Sequence, residues 1–445
     1  MRVSVIGTGY VGLVSGVCLA HKGHDVQCVD IDAAKVDRIN GGESPIHEDG
    51  LDDLLQGVLG SRFSATTDLE AAIASTELTL VAVGTPFGED RIDLAQIRSA
   101  AEAIGRELAK KDDYHVVVVK STVVPGTTET VVLPILEKVS GKTAGDDFGV
   151  GMNPEFLREG VAVPDFLEPD RIVIGGNDDK ALDVMGRLYD VFPGTDVMRT
   201  TPSTAEMIKY TANSLLATLI SFSNEIGNLS AAVGVDVTDV MKGVHLDHRF
   251  SPILDDGTRV RPASLSYLEA GCGFGGSCFP KDVKALAAHA RNAGVEAPIL
   301  NGALEINEQQ PGRFIEPVLW SLDRGAKVAV LGAAFKPDTD DVRESPTLRI
   351  VPALVQAGMQ VTLHDPIALD NAKAELGDDL AYTADLDAAL DGADAVVVVT
   401  SWKDYADLPS KLAAMSPQPM LADGRRSYSP DVVERYTGVG YPAKG

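Results

Sequence analysis

Apolar residues fall first into short runs and then into stretches of helical period. Residues 2–6, RVSVI, are one short run; GTGYVG follows, and an apolar stretch continues to about Lys22. DVQCVDID is the next run, so a strand, a helix and a strand are predicted in that order, a βαβ unit. Further strands are predicted at LTLVAVGTP, HVVVVKSTV and DRIVIGG, each followed by helix-compatible sequence. Strands alternating with helices imply a parallel, doubly wound sheet.

The pattern changes near residue 203. PSTAEMIKYTANSLLATLISFSNEIGNLSAAVGVD keeps helical periodicity without an interior proline for roughly 30 residues. Ser203 with Glu206 three residues on reads as a capping box at its start, with Pro202 just before. Such a helix between two α/β regions is a candidate spine. AKVAVLG, MQVTLHD and DAVVVVTSW then repeat the strand pattern from about residue 326. The expected fold class is α/β, with two Rossmann-like doubly wound domains joined by a long central helix and its helical companions. The expected domains are 1–200, 201–312 and 313–445. Two nucleotide-sized domains suggest two nucleotide-like ligands.

A chain of 445 residues is long enough for two or three such domains. Its 65 acidic against 39 basic residues give a formal charge of -26, which repels nucleic acid and anionic membranes. A phosphorylated ligand must then be met by local Lys, Arg or helix N-termini. MRVSVIGTGY reads as a strand rather than a signal peptide, and no apolar run reaches the ~18 residues of a membrane span. The run DDLAYTADLDAALDGADA is read as solvated acidic surface. Four cysteines, Cys18, Cys28, Cys272 and Cys278, make no C-x-x-C pair, and no His cluster stands at zinc spacing, so no metal is expected. So few thiols point to a reducing compartment. Cys18 and Cys28, in an apolar helix and a strand, are expected in the core.

Gly7, Gly9 and Gly12 in GTGYVG have G-x-G-x-x-G spacing directly after a strand and opening a helix. Gly7 permits the tight turn, Gly9 lets a pyrophosphate approach the backbone, and Gly12 lets helix pack on strand. With Tyr10 and Val11 of the same turn, they are assigned to a dinucleotide whose phosphates meet the helix N-terminus. Asp30 closes the second strand, where an acid hydrogen-bonds a ribose 2′-OH and repels a 2′-phosphate, so NAD is expected rather than NADP. Lys35 either touches the adenosine side or is a surface lysine. Thr85 and Thr122 fall at strand ends on the carboxyl edge, where ligands of such sheets bind.

Lys209 and Asn213 are i and i+4 on the long helix and share a face. They can hold a substrate hydroxyl and stabilise an oxyanion, or be a surface lysine and an interior amide; the motif alone leaves both open. NPEFLREG places Glu155 and Glu159 at i and i+4 if it is helical. One would serve as a general base with a raised pKa if partly buried, against the default of two surface carboxylates. GCGFGGSCFPKDVKAL puts Cys278 just before a helix that has Pro280 in its first turn, with Lys281 close by. Both features favour thiolate, and glycines 271, 273, 275 and 276 are read as leaving the sulfur accessible. A disulfide to Cys272 and a buried thiol are the poorer readings. An aldehyde adding to such a thiol gives a thiohemiacetal whose carbon can lose hydride, and water then cleaves the thioester.

In order along nearly the whole chain, GTGYVG, VGTP, KSTVVPGTT, NPEFLREG with PDRIVIGG, EMIKYTAN, SFSNEIGNL, GFGGSCFPKDV, AFKPDTDDVRESP and DGRR resemble the motifs of the nucleotide-sugar 6-dehydrogenases of the UDP-glucose/GDP-mannose dehydrogenase family. GGSCFPKD resembles the glucose or mannose branch; the N-acetyl-sugar branch usually carries a histidine before the cysteine. The resemblance implies four-electron oxidation of a sugar C6 alcohol to a carboxylate with two NAD consumed. It casts Cys278 as nucleophile, Lys209 and Asn213 as oxyanion stabilisers, and Asp282 and Thr122 as positioners of water. Glu155 would act in acid–base steps. Glu159, Lys281 and Arg343 match positions near the cofactor, and Lys336 and Arg425 match positions that meet the nucleotide-sugar. Phe156, Leu157, Tyr267, Gly271 and Gly275 join Glu155, Glu159, Lys209 and Asn213 around the substrate.

AFKPDTDDVRESP, HDP and TSWKDY resemble the enzymes of UDP-glucose, the expected substrate, giving UDP-glucuronate. GDP-mannose is the alternative. A two-electron hydroxyacid-type dehydrogenase is a further one, but that class has no need of Cys278. A cytoplasmic homodimer formed through the central helices is implied. Two departures stand out. LDHRF resembles an LD-x-R-I motif whose arginine, here Arg249, reaches the partner subunit's substrate site, yet SPILDDGTRVRPASLS intervenes before the glycine loop. Arg259 or Arg261 is the alternative holder of that role. Leu219 stands where relatives commonly carry Lys or Arg.

Overall fold

The computed structural model describes residues 1–442. The chain divides into two compact units, Met1–Ala212 and Asn213 onward. The helix Pro202–Ala232 runs through the division as one element.

The first unit is built on an eight-stranded sheet. From one edge its strands are Asp196–Thr200, Arg171–Gly176, Phe148–Met152, His115–Val119, Leu78–Val81, Arg2–Ile6, Asp25–Val29 and Phe63–Thr66. Helices cover both faces, which is why HVVVV is buried at all five positions. Its side chains alternate between two cores: Val116 and Val118 join Val5, Leu13 and Leu80 on one face, while Val117 and Val119 join Ile104, Leu136 and Val150 on the other. Cys18 and Cys28 are fully buried in the first of these cores, and burial pushes the Cys18 thiol up to about 12.

The sheet departs from uniform parallel order at one place. Arg171–Gly176 runs antiparallel to Phe148–Met152, and Asp196–Thr200 follows it in parallel. The connection before it holds only the six-residue helix Ala162–Leu167 and NPEFLREG, which forms neither helix nor strand. It turns the chain back instead of crossing the sheet face. Gly151 and Gly175 accommodate that turn: a Cβ on Gly151 would lie 2.7 Å from the Gly175 carbonyl oxygen.

The long helix begins at Pro202, not after a Ser203 cap. Thr201 Oγ1 accepts the Thr204 N–H at 3.3 Å, so the cap lies two residues earlier than the predicted box. Glu206 has a different task. Fully buried, it accepts the Gly126 N–H at 2.5 Å, the Thr128 N–H at 2.8 Å and the Thr128 hydroxyl at 2.6 Å. A tertiary use of the carboxylate outcompetes the local one.

The second unit combines helices Val237–His245, Phe279–Asn292 and Pro298–Ser321 with a six-stranded, wholly parallel sheet. Its order is Ala381–Thr383, Gln360–His364, Lys327–Leu331, Ala395–Val398, Met420–Asp423 and Tyr436–Gly438. The acidic run after residue 377 keeps its carboxylates exposed, while Ala389, Leu390 and Ala395 enter the core, so it is surface and framework at once. Residues 252–260 of the intervening segment form a small hairpin in which Ile253 pairs with Arg259. Arg259 donates to the Leu246 and Ser251 carbonyls, and Arg261 pairs with Glu269. Among the described residues no helix is long and apolar enough to cross a membrane, and no cluster of three His, Cys, Asp or Glu stands ready for a metal.

Candidate active site

The first strand ends at Ile6 and the backbone turns at Gly7, with φ +97°. A Cβ there would lie 2.7 Å from the Ala82 oxygen, and one on Gly12 would lie 2.0 Å from the Gly7 oxygen. The protein itself demands these two glycines. Gly9 differs, because a Cβ on it would meet nothing within 4 Å. It caps the helix Tyr10–His21, and no side chain occupies that end, so the first N–H groups can face an anion. Asp30 follows the second strand. One of its oxygens accepts the Thr8 N–H at 2.9 Å and hydroxyl at 2.6 Å; the other accepts the Asp32 N–H at 3.0 Å. Burial pushes this carboxyl up, but these donors and Lys35 hold it below its usual range. An open helix N-terminus beside an ionised acid fits NAD.

Other predicted cofactor residues gather around this edge. Lys35 is exposed on the helix Ala33–Asn40, close enough to act on Asp30. Thr85 donates its hydroxyl to the Thr122 carbonyl at 2.8 Å, joining two strand ends. Val11 packs against the core. The Tyr10 hydroxyl bonds Glu48, whose buried carboxylate also accepts the Gly160 N–H at 2.8 Å and the Ala162 N–H at 2.6 Å. Glu48 thus ties the loop after NPEFLREG to the glycine turn. Burial and Glu48 raise the Tyr10 phenol well above its usual range, and half-buried Glu159 adds to this from nearby.

NPEFLREG forms no helix, so Glu155 and Glu159 share no helical face. Asn153 continues the strand by donating its N–H to Val119, and the Glu155 carboxylate accepts the Leu157 N–H at 2.7 Å, an interaction that competes with helix formation. The other Glu155 oxygen lies 2.8 Å from Lys209 Nζ, with the two side chains 7% and 4% exposed. Burial alone would raise the Glu155 pKa, as expected from the sequence; the Lys209 ammonium and the Leu157 amide reverse this and hold it down. Lys209 is therefore a buried ion-pair partner, not a surface lysine. Phe156 stacks under the Arg171 guanidinium at 4.0 Å, with Lys209 on the same ring at 5.6 Å, and Leu157 is half-buried beside them.

Sequence reasoning missed a second lysine here. Lys120 is 4% exposed and donates to Asn153 Oδ1 at 2.8 Å, an oxygen that also accepts the Tyr189 hydroxyl. Burial pushes Lys120 down to about 8. KSTVVPGTT contains this lysine, but its apolar surroundings come from strands remote in sequence.

In the second unit, half-exposed Cys278 caps the helix Phe279–Asn292, and Pro280 occupies its first turn. Asp282, 1% exposed, accepts from Asn213 Nδ2 at 2.6 Å and from Lys281 Nζ at 2.5 Å. Lys281 thus spends its charge on Asp282. Cys272 is free and fully buried with its thiol pushed up by burial, so the two cysteines do not pair. The glycine loop itself is buried. Gly275 and Gly276 admit protein neighbours: Cβ atoms there would lie 2.4 Å from the Glu344 oxygen and 2.7 Å from the Phe335 ring. That corrects the reading that all these glycines expose the sulfur.

Arg425 reaches the loop by donating to the carbonyls of Val399 at 2.6 Å, Gly273 at 3.4 Å and Phe335 at 3.5 Å, and it flanks Gly271. The Lys336 ammonium lies 5.7 Å from the Phe335 ring. Arg343 is fixed bidentately by Asp341, and its carbonyl accepts the Gly276 N–H. Tyr267 packs on Phe279, the neighbour of Cys278. Arg249 is exposed and paired with Asp247. Leu219 is half-buried on the long helix.

These sites sit in a chain with recognisable relatives. Profiles of the UDP-glucose/GDP-mannose dehydrogenase family match its NAD binding domain at residues 1–193, its central domain at 203–309 and its UDP binding domain at 329–430. A UDP-glucose 6-dehydrogenase of Haloferax volcanii is 42% identical over 447 residues, covering 99% of each chain. A GDP-mannose 6-dehydrogenase of Pseudomonas savastanoi pv. phaseolicola is 44% identical over 367 residues, covering 82% of this chain and 81% of the relative. The solved structure of a UDP-glucose dehydrogenase from Pyrobaculum islandicum superposes with a TM-score of 0.88 at 39% identity, covering 99% of this chain and 97% of that one. With all three profiles matched in order and the sheet, helix and thiol loop in place, the chain belongs to the UDP-glucose/GDP-mannose dehydrogenase family.

Proposed function

We propose that this protein oxidises UDP-glucose at C6 to UDP-glucuronate in two NAD-dependent steps, with Cys278 as the covalent nucleophile. The observation that carries the chemistry is the half-exposed thiol at a helix N-terminus, beside the buried Asn213–Asp282 pair. The sugar reading is supported by the Haloferax relative, which matches end to end, whereas the GDP-mannose relative matches over a shorter span. NAD, held by Gly7, Gly9, Gly12 and Asp30, supplies the hydride acceptor for both oxidations.

In the first oxidation the C6 alcohol loses a proton and a hydride to give an aldehyde. The Cys278 thiolate then forms a C–S bond to the aldehyde carbon, and the oxygen takes a proton, giving a thiohemiacetal. Loss of a second hydride and the hydroxyl proton leaves a thioester. Water adds to it, the C–S bond breaks, and the thiolate and carboxylate separate. Lys209 and Asn213 stabilise the oxygen as it becomes anionic, as fixed donors in a dry site do. Glu155, kept ionised by Lys209, has a vacant protonation site for the acid–base steps, although the ion pair weakens it as a base. Asp282 and Thr122 orient the water. Lys336 and Arg425 answer the nucleotide-sugar pyrophosphate against the background of -26.

The chain is organised for this as an NAD-binding part (1–200), a central helical part (201–312) and a nucleotide-sugar part (313–445). A homodimer is supported by the exposed apolar stripe Leu215, Phe222 and Leu229, spaced seven residues apart on the long helix. A cytoplasmic location suits four cysteines that form no disulfide.

The test is the yield of NADH per molecule of limiting UDP-glucose, with GDP-mannose in parallel. Two per UDP-glucose is the expected result. Two from GDP-mannose alone would keep the chemistry and change the sugar. One per sugar would remove the covalent role of Cys278.

A further inference from the structure

We propose that three side-chain amides, led by Asn307, hold the glycine-rich loop in the one shape that presents Cys278, and so act as positioning residues for the thiol. Asn307 Oδ1 accepts the Phe274 N–H at 2.7 Å, and its Nδ2 donates to the Phe274 carbonyl at 3.0 Å. One side chain thereby satisfies both main-chain groups of one residue. Gln310, one turn further along the helix Pro298–Ser321, donates to the Gly271 carbonyl at 3.1 Å and is itself held by Asn228 at 2.9 Å. Asn224, on the long helix, accepts the Gly271 N–H at 2.8 Å. Every main-chain N–H and C=O of Gly271 and Phe274 is thus taken by an amide.

The physical need is plain. Residues 271–276 are buried yet belong to no helix or strand, so their backbone groups must find partners elsewhere. Asn and Gln are the uncharged side chains that carry a donor and an acceptor at fixed spacing. The arrangement reaches the thiol through packing. The Phe274 ring meets Phe279 edge-on at 6.1 Å, and Phe279 is the first residue of the helix that Cys278 caps. Gly273 has φ +110°, and a Cβ on it would lie 3.0 Å from Asn307 Oδ1, so loop and amide are fitted to each other. The amides act through the loop rather than on the substrate.

The proposal rests on the reading of Cys278 as nucleophile, and the experiment separates the two. Wild type, Asn307→Leu, Asn307→Asp and Cys278→Ser are compared for kcat, KM for NAD, NADH per sugar, and the iodoacetamide alkylation rate of Cys278 followed by peptide mass. Asn307→Leu is expected to lower kcat about 100-fold with KM for NAD changed by less than about twofold, the pattern of a misplaced reacting group. Its Cys278 alkylation rate should change by about fivefold or more. Asn307→Asp keeps an acceptor but loses the donor and should fall between. Buried Cys18, Cys28 and Cys272 serve as unreactive references in the same digest. A folded Asn307→Leu enzyme with wild-type kcat and alkylation rate overturns the proposal. If that variant does not fold, Gln310→Met, which loses the bonds to Gly271 and Asn228, is judged by the same two rates. Two NADH per sugar from Cys278→Ser would instead overturn the nucleophile, while the alkylation result on Asn307 stands by itself.

Discussion

Lys209→Met removes the ammonium that faces Glu155 across 2.8 Å in an almost fully buried pair. Methionine keeps the length and the apolar stem, so the lost quantity is charge. At an effective dielectric of about 20, two unit charges at this distance attract by ~6 kcal/mol, part of which the desolvation of both groups offsets. The truncation nevertheless leaves Glu155 buried with only the Leu157 amide and the charge of Lys120 to compensate it. Breaking a buried pair from one side costs about 3–5 kcal/mol. For a unit the size of Met1–Ala212, at about 2–4 °C per kcal/mol, the melting temperature near neutral pH should fall by about 6–20 °C.

The pH dependence carries the sign. In the wild type the folded pKa of Glu155 lies below its unfolded value. Its stabilisation is therefore full above the unfolded pKa and is lost as pH falls through the folded one. In Lys209→Met the folded pKa moves above the unfolded value, so the variant regains stability as pH is lowered from neutral. The gap between the two proteins should narrow on acidification, and Lys209→Met/Glu155→Gln should recover part of the loss at neutral pH. Thermal melts across about pH 4.5–8 measure both. A loss below about 1 kcal/mol with a gap indifferent to pH would mean that the pair is solvated, and the reasoning would fail.

Three further outcomes follow from the same geometry. Gly9→Ala should leave the melting temperature unchanged and raise KM for NAD about tenfold or more, because its Cβ meets no protein atom. Gly12→Ala should instead lower the melting temperature, since its Cβ would lie 2.0 Å from a carbonyl oxygen. Burial raises Glu206 to about 7, so its contribution to stability is lost as pH rises from about 4.5 to 7, an effect on the order of 3 kcal/mol. Urea melts of Glu206→Gln should lose that slope, and a slope equal to the wild type would refute the assignment. Leu215→Glu/Phe222→Glu should convert a dimer to a monomer by light scattering; an unchanged mass would place the interface elsewhere.

What could be read from the chain alone were features carried by neighbouring residues. The glycine turn, the helix Pro202–Ala232 and the thiol at a helix start are written into a few consecutive positions. The reversal at Arg171–Gly176 was not legible, because DRIVIGG has the same apolar pattern whichever way it runs. Glu206 illustrates the limit more sharply. Its position suits a capping box, yet its partners lie 78 and 80 residues away, and no local rule weighs that competition. Lys120, Glu48 and the amides of Asn307 and Gln310 escaped notice for the same reason. Each is an ordinary polar residue until a distant segment supplies its apolar walls or its backbone partner.

The two sheets show how one backbone device can be turned to different ends. Gly7 donates its N–H to Val29 at 2.8 Å, and Gly332 donates to His364 at 2.8 Å, so the turn after the first strand is the same in both. In each, the acid after the second strand accepts the next N–H: Asp30 from Thr8 at 2.9 Å and Asp365 from Ala333 at 2.8 Å. There the likeness ends. Asp30 is half-buried and keeps an exposed edge at the open helix N-terminus. Asp365 is fully buried and also accepts from the Ala334, Ile367 and Ala368 amides and from Trp402 Nε1. Five donors exhaust a carboxylate, so Asp365 has no lone pair left for a ribose hydroxyl. The glycine that leaves room for a pyrophosphate is also replaced, since GAAFKP stands where the first sheet has GTGYVG. In the second sheet the acid is a fastening for loops. On the proposed function, recognition of phosphate would then fall to side-chain cations such as Lys336 and Arg425, which a chain this acidic must concentrate at the place of need.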